Sequence, residues 1–327
     1  MKQTLNDMQN PSVQQASDKL VLETQGGHKS KTKIEDKVFV VCNTIVLGLF
    51  LLVTLYPILN TLAISFTDGV VASMGGIHIL PKDFTWENYQ TVFKIKTFGN
   101  AVICTVARTV IGSALALLAN ALLAFVISRK KFLFRSELSL FWVITMYVNG
   151  GLIPGILLMR YLHFINTFWV YIIPGMISAW NVMVLRTYME DLPQELEESA
   201  MLDGAGYMTI FFRIITPLCK PVYATVLLFV AVGQWNSWFD VLLYNVDNEK
   251  HTTLQFELQK LMASVDSTKS SQNFGALAQT AKTSTNNATM RTVRAAASIV
   301  TMVPIICIYP FLQRYFVTGL TIGGVKG

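Results

Sequence analysis

Two sets of residues in this chain of 327 carry groups that could do chemistry. The first is compact and lies within 191–217: the acids Glu195, Glu197, Glu198 and Asp203, interleaved with Ser199, Ala200 and Gly204. Acids on a short exposed helix suit pairing with Arg or Lys of a partner, and small residues allow that partner's surface to come close. The second set is scattered through apolar runs: Arg108, Asn149, Asn181, Gln234, Trp235, Asn236, Trp238 and Asp240, with Trp180 beside them. Its mixture of amides, indoles and charges suits a sugar, with aromatic faces against C–H patches and amides to hydroxyls.

Neither set is arranged for catalysis or for a metal. His28, His78, His163 and His251 are scattered, without an HExxH pair, and neither a GxxxxGK[ST] phosphate loop nor a GxSxG elbow occurs. Any ATP and magnesium that drive this chain are therefore expected on another subunit, and no cofactor or metal is expected here. Cys42, Cys104, Cys219 and Cys307 lie far apart, in or at the edge of apolar runs, and read as small buried hydrophobes rather than a disulfide framework.

The elements that must position these groups follow from composition. The chain is 52% hydrophobic and 14% charged, against roughly 25% charged in soluble domains. It reads as an all-α, polytopic membrane protein. The net charge of +6 is explained by membrane anchoring, and without a basic face interleaved with aromatics it implies no nucleic-acid partner. Residues 1–37 are polar and hold no apolar core of the kind a cleavable signal needs, so they are expected to be a disordered cytoplasmic tail.

Six segments are apolar enough to cross a bilayer, which takes about 20 residues each. They are 38–66, 98–127, 138–158, 168–189, 217–246 and 295–318, followed by a cytoplasmic tail at 319–327. Pro57, Pro154, Pro174 and Pro304 fall inside them and predict kinks or unwound turns. With the N-terminus inside, fifteen Lys and Arg lie on the cytoplasmic side and ten outside, six of those ten in one long loop. This topology puts 191–217 in the cytoplasm and the polar loop 247–294 outside, where 254–263 and 273–282 are compatible with helices.

Within 191–217, Asp191 stands three residues before Gln194 in a capping-box spacing, with Pro193 expected in the first helical turn. Glu195, Glu197 and Glu198 would favour the helix N-terminus by about 0.3–1 kcal/mol each. The helix is expected to stop at Asp203-Gly204, and a second to run from Tyr207 to Ile215 and end before Pro217. The plainer alternative is a solvated acidic loop.

Arg108 lies a third of the way into a span, where a cation costs roughly 2.5–3.5 kcal/mol unless it faces protein or water. It is expected to face the cavity or a neighbouring helix, meeting either substrate or a structural carboxylate such as Asp240. The run 234–238 reads as cavity lining, or as an interfacial aromatic anchor.

The spacing Glu198-Ser199-Ala200, Gly204, Ile214, Pro217 resembles the EAA loop of the permease subunits of bacterial ABC importers. Ser199 stands for the first Ala of that pattern and Thr216 for its Leu. Asn149 to Pro154, Gly233 to Asp240 and the terminal Gly319 to Gly327 are similar to segments of carbohydrate-importer permeases of the maltose-transporter, MalG-like type, in the branch associated with complex oligosaccharides and polysaccharide fragments. The resemblance covers roughly 35–327 and implies a type I importer permease fold in a bacterial cell membrane. It implies that Glu198, Ser199, Ala200, Asp203 and Gly204 form a coupling helix. It also implies alternating access with a second, MalF-like permease, two copies of an ABC ATPase and an extracellular sugar-binding protein. Permeases for a simple glycoside, a sugar phosphate or a peptide-like solute are the nearest alternatives. A membrane-embedded enzyme lacks a nucleophile or acid pair at depth, and a self-contained secondary transporter would be expected to show internal repeats, none of which is found between the two halves.

Overall fold

The computed structural model describes residues 34–263 and 288–324, with side chains over 36–263 and 288–310. The expected tail therefore lies outside the described residues except for its last four, which already belong to a helix. Every regular element among the described residues is helical, apart from one isolated bridge between Thr67 and Phe84.

The first helix, α1 (Ile34–Ser65), contains Pro57 and exposes Phe39, Phe50, Leu52 and Val53. Its part through Ile58 is a compact unit of its own, and the chain from Leu59 onward forms the second. In that second unit α2 (Gly69–Met74) and α3 (Glu87–Lys94) precede α4 (Phe98–Ser128). Asp68 starts α2 by accepting from the backbone N–H of Val70 and Val71.

Around α4 pack α7 (Ala179–Glu190) and α10 (Lys220–Asn236), through Ala121, Ala124 and Phe125 against Val182 and Leu185, with Val222 and Val226 on the third side. Small residues on α4 let these backbones close up, as membrane helices require in the absence of a hydrophobic drive. The last helix, α13 (Met290–Gly324), packs Val293, Ala296 and Ala297 against Phe98, Ala101 and Trp235. It runs on through most of the expected terminal tail.

Among the described residues three helices are long and apolar enough to cross a membrane, and up to five if each of two bent pairs counts as one span. The expected span 138–158 is such a pair: α5 (Arg135–Tyr147) and α6 (Leu152–Tyr161) meet at 116°. Gly151, at φ +88°, makes the turn. The expected span 217–246 begins with the second pair, α9 (Tyr207–Leu218) and α10, at 83°.

Two details of α9 correct the expectation for this region. The helix does not end before Pro217 but carries it in its last turn, with Phe211–Ile215 widened into a π-helix. A π-bulge absorbs the lost hydrogen bond. The break falls two residues later at Cys219, where Pro221 cannot donate to the carbonyl of Pro217. The same apolar run ends at Asn236, before the separate short helix α11 (Phe239–Tyr244).

The expected span 168–189 is not one helix. It is a 3-10 turn at Phe168–Tyr171, an irregular passage through Pro174 and Gly175, and then α7. Asn120 of α4, wholly buried, closes the gap: its Nδ2 donates to the carbonyls of Met176 (2.9 Å) and Ala116, and its Oδ1 accepts from the N–H of Ser178 at 2.9 Å. Unwound backbone at this depth persists because such a side chain satisfies it.

In the loop after α11, the helix expected at 254–263 is α12 (Leu254–Ala263). The helix expected at 273–282 lies outside the described residues. Cys104 and Cys219 are buried as expected, whereas Cys42 and Cys307 are exposed on the described chain. The reason is that both sit on the outward faces of long apolar helices.

Candidate functional site

The 191–217 stretch folds as an elbow. Its first helix, α8 (Glu195–Leu202), begins one residue after Gln194, whose carbonyl accepts from the N–H of Glu197 (3.0 Å) and Glu198 (3.1 Å). The helix therefore starts four residues after Asp191, out of the expected capping-box register. Asp191 instead closes the end of α7, its N–H bonded to the carbonyl of Thr187.

At the other end the structure follows the expectation. Gly204 adopts φ +81°, its N–H reaches Met201 O at 3.0 Å, and the N–H of Ala205 reaches Ala200 O at 2.9 Å. This pair of bonds is the Schellman closure, which needs a left-handed residue where Gly204 stands. The helix α9 restarts at Tyr207.

The two faces of α8 differ. Glu198, Ser199, Asp203 and Gly204 are exposed, with Leu202 89% and Met208 65% accessible beside them, while Glu197 and Ala200 are buried. Glu197 pairs with Arg129, the residue that caps α4. Arg129 also donates to Ser128 Oγ (2.9 and 3.1 Å) and to the carbonyl of Met189 (3.3 Å) and lies over the Phe125 ring. Burial pushes its pKa down from the usual value.

A second hub is Glu190, at the end of α7. Its Oε1 accepts from Arg135 (2.6 Å) and Arg186 (2.8 Å), and Arg186 reaches on to Ser139 of α5 at 2.6 Å. Burial pushes this carboxyl up, but the two guanidinium groups outweigh it and hold its pKa below the ordinary range. Lys130 donates to Gln194 at 3.3 Å, across a recess of about 90 Å³ bordered by Lys131, Glu198 and Tyr207.

Of the polar residues inside the apolar runs, three come together. Arg108, 1% exposed, donates Nε to Gln234 Oε1 (3.0 Å) and both Nη groups to Asp240 (3.2 and 2.5 Å), and the Tyr171 ring lies 4.5 Å from its guanidinium carbon. The carboxylate that Arg108 meets is thus Asp240. Trp235 is buried and donates Nε1 to the carbonyl of Thr301 at 3.0 Å, tying α10 to α13. Trp238 packs beside Val170 and Phe256. Trp235 therefore offers no open stacking face, and Trp238 is half-buried.

Asn181 is buried in α7. Asn149 accepts from the N–H of Gly151 at 2.9 Å and stays exposed, as do Asn236 and Trp180. Sequence reasoning missed Tyr171, Asn120, Arg129 and the inward role of Glu197. The last was readable: Glu197 precedes the small Ala200 by three residues and so shares its helix face. Among the described residues no group of three or more His, Cys, Asp or Glu could hold a metal.

A helical chain with long apolar spans, broken helices sealed by buried side chains, and an elbow that turns Glu198 and Asp203 outward has the features of a multi-pass membrane permease. No protein-family profile matches the chain. It is 34% identical over 298 residues to protein LplC of Bacillus subtilis (strain 168), covering 89% of this chain and 96% of that one. It is 30% identical over 279 residues to the polygalacturonan/rhamnogalacturonan transport system permease protein YtcP of the same strain, covering 85% and 95%. Among solved structures, a chain of a bacterial ABC transporter involved in the import of the acidic polysaccharide alginate superposes with a TM-score of 0.77 at 29% identity, over 87% of this chain and 98% of that one. The protein belongs to the permease subunits of bacterial carbohydrate ABC importers.

Proposed function

We propose that this chain is the permease subunit of an ATP-driven importer of oligosaccharides or polysaccharide fragments. The observation that carries this reading is the elbow: an acidic helix with an exposed face, closed by Gly204 and joined directly to α7 and α9. Support comes from relatives named as permeases for polygalacturonan and rhamnogalacturonan, arabinooligosaccharides and galactooligosaccharides. A further solved structure pairs an alginate ABC transporter with an alginate pentasaccharide-bound periplasmic protein.

In this reading the chain crosses the membrane six times, with both termini in the cytoplasm. Residues 168–189 form a broken fourth crossing. The elbow is the coupling helix, and Glu198, Ser199, Asp203 and Gly204 form its ATPase-facing part, with Ala200 packed on the closed face behind them. The ATPase, present in two copies, holds the ATP and magnesium, and this chain catalyses nothing. A second permease completes the translocation path, and an extracellular binding protein delivers the saccharide to the side that includes α12. ATP-driven closure moves the elbow, and the attached helices switch the path from inward-open to outward-open. The exposed Asn149, Asn236 and Trp180 are the candidates on this chain for substrate contact.

Reconstitution into liposomes with the partner permease, the ATPase and the binding protein tests this. Saccharide uptake is expected only with ATP and the binding protein both present. Uptake by the chain alone on an ion gradient, or ATPase stimulation by peptides rather than saccharides, would replace this function with one of the alternatives.

A further inference from the structure

The long helices of the chain are not mechanically alike. α1 contains Pro57, α13 contains Pro304 and Pro310, and the α5–α6 and α9–α10 pairs bend by 116° and 83°. Only α4, among the described helices long enough to cross a membrane, runs its 31 residues without a proline. A helix without a proline lacks the commonest cause of a sharp kink and so can move as one body.

α4 carries two ion pairs shielded from solvent, one at its C-terminal end and one about a third of the way in from its N-terminus. At one end Arg129 meets Glu197 of the elbow, the two side chains 14% and 11% exposed. Toward the other end Arg108 meets Asp240 on α11. Twenty-one residues separate the two arginines, about 31 Å along the helix at 1.5 Å per residue. Arg129 has no freedom to swing, because Ser128, Met189 and Phe125 hold its guanidinium from the other sides.

We infer that Arg129 and Glu197 are positioning residues that fasten the elbow to α4, so that this helix delivers elbow displacement to the Arg108–Asp240 pair farther along it. The inference rests on the importer reading and deepens it. Glu198 on the open face of α8 meets the partner, and Glu197 on the closed face passes the motion inward. The sequence neighbours thus divide recognition from transmission.

The test uses the assembled importer in proteoliposomes. Glu197→Gln and Arg129→Met are expected to co-purify with the ATPase and keep basal hydrolysis. Stimulation by the saccharide-loaded binding protein is expected to fall by a factor within about 5–150, the usual range of a coupling between sites. Saccharide moved per ATP falls with it. The exchange Arg129→Glu with Glu197→Arg is expected to restore most of the stimulation. Glu197→Asp keeps the charge at shorter reach and is expected to assemble with reduced stimulation, which supplies a readout if a neutral variant fails to assemble. Full stimulation in the single variants or in Glu197→Asp, or an assembled exchange variant as uncoupled as the singles, would overturn the inference while leaving the importer reading intact. An unmutated complex that shows no saccharide-dependent stimulation would sink both.

Discussion

Arg108 of α4 and Asp240 of α11, 132 residues apart in sequence, meet through two parallel hydrogen bonds, Nη1 to Oδ1 at 3.2 Å and Nη2 to Oδ2 at 2.5 Å. The bidentate fork fixes orientation as well as charge. Gln234 and Tyr171 fill the remaining sides, so α4, α10, α11 and the 3-10 turn are locked around one cation.

Asp240→Asn is expected to destabilise the chain by about 3–5 kcal/mol, because it leaves a buried guanidinium without a counter-charge. The double change Arg108→Met with Asp240→Leu should cost far less than either charge removal alone. Thermal unfolding of the purified complex checks both. Equal losses in the single and double variants would show that shape rather than charge holds this cluster.

Gly112 faces the same cluster. A Cβ at this position would lie 3.2 Å from Cδ and Nε2 of Gln234, and Gln234 is not free to retreat because Arg108 and the carbonyl of Tyr171 hold it. Gly112→Ala is expected to cost about 1–3 kcal/mol as overpacking. Gly99→Ala, on the same helix with open space around it, should cost nothing and serves as the control in the same melting experiment.

Glu190 gives the region beside the elbow a pH dependence with a defined sign. Arg135 and Arg186 overcome the effect of burial and hold its folded pKa below the ordinary value of 4.5. Its contribution is therefore fully present above the unfolded pKa and is lost as pH falls through the lower, folded value. Melting temperatures of the wild type and Glu190→Gln should differ near neutrality and converge on acidification below about pH 4.5. A gap that persists at low pH would mean that packing, not charge, explains the variant.

Gly204 stands in the left-handed region, and a Cβ added there would meet nothing within 4 Å, so backbone strain alone should set the effect of substitution. Gly204→Ala is expected to destabilise the elbow by about 1–2 kcal/mol, and Gly204→Asn by less, since Asn tolerates this conformation. Retention of the ATPase on an affinity-tagged permease should follow the same order.

Much of this was legible from residue types. Asp203-Gly204 marked the end of α8, and the polar stretch at 254–263 became α12 with the expected bounds. What composition could not show was how apolar runs break. The run 168–189 is hydrophobic enough to read as one helix, yet Pro174 and Gly175 interrupt it, and a single buried amide, Asn120, makes the interruption tolerable from 56 residues away. The same holds for Arg108: its burial cost was readable, but its pairing with Asp240 depended on α11 folding back beside α4. Asp191 stands out of register with α8 for a local reason: it still belongs to the end of the preceding helix, its N–H bonded to Thr187.

Glu198 and Glu195 are both exposed acids on α8, and they separate recognition from helix electrostatics. Glu195 lies in the first turn, where reversal to Lys loses only the macrodipole term of about 0.3–1 kcal/mol. Glu198 lies beside Ser199 and one turn from Leu202, on the face that the proposed function gives to the ATPase. Reversal there sets a cation against any cation that receives Glu198, a like-charge juxtaposition worth several kcal/mol. Glu198→Lys is therefore expected to abolish transport-coupled ATP hydrolysis while the permease pair stays in the membrane, and Glu195→Lys to leave uptake nearly intact. Uptake assays on both variants in one reconstituted importer decide the matter. Normal uptake with Glu198→Lys would remove this residue from the coupling surface, because α8 tolerates the change structurally and no other step in the cycle involves that exposed side chain.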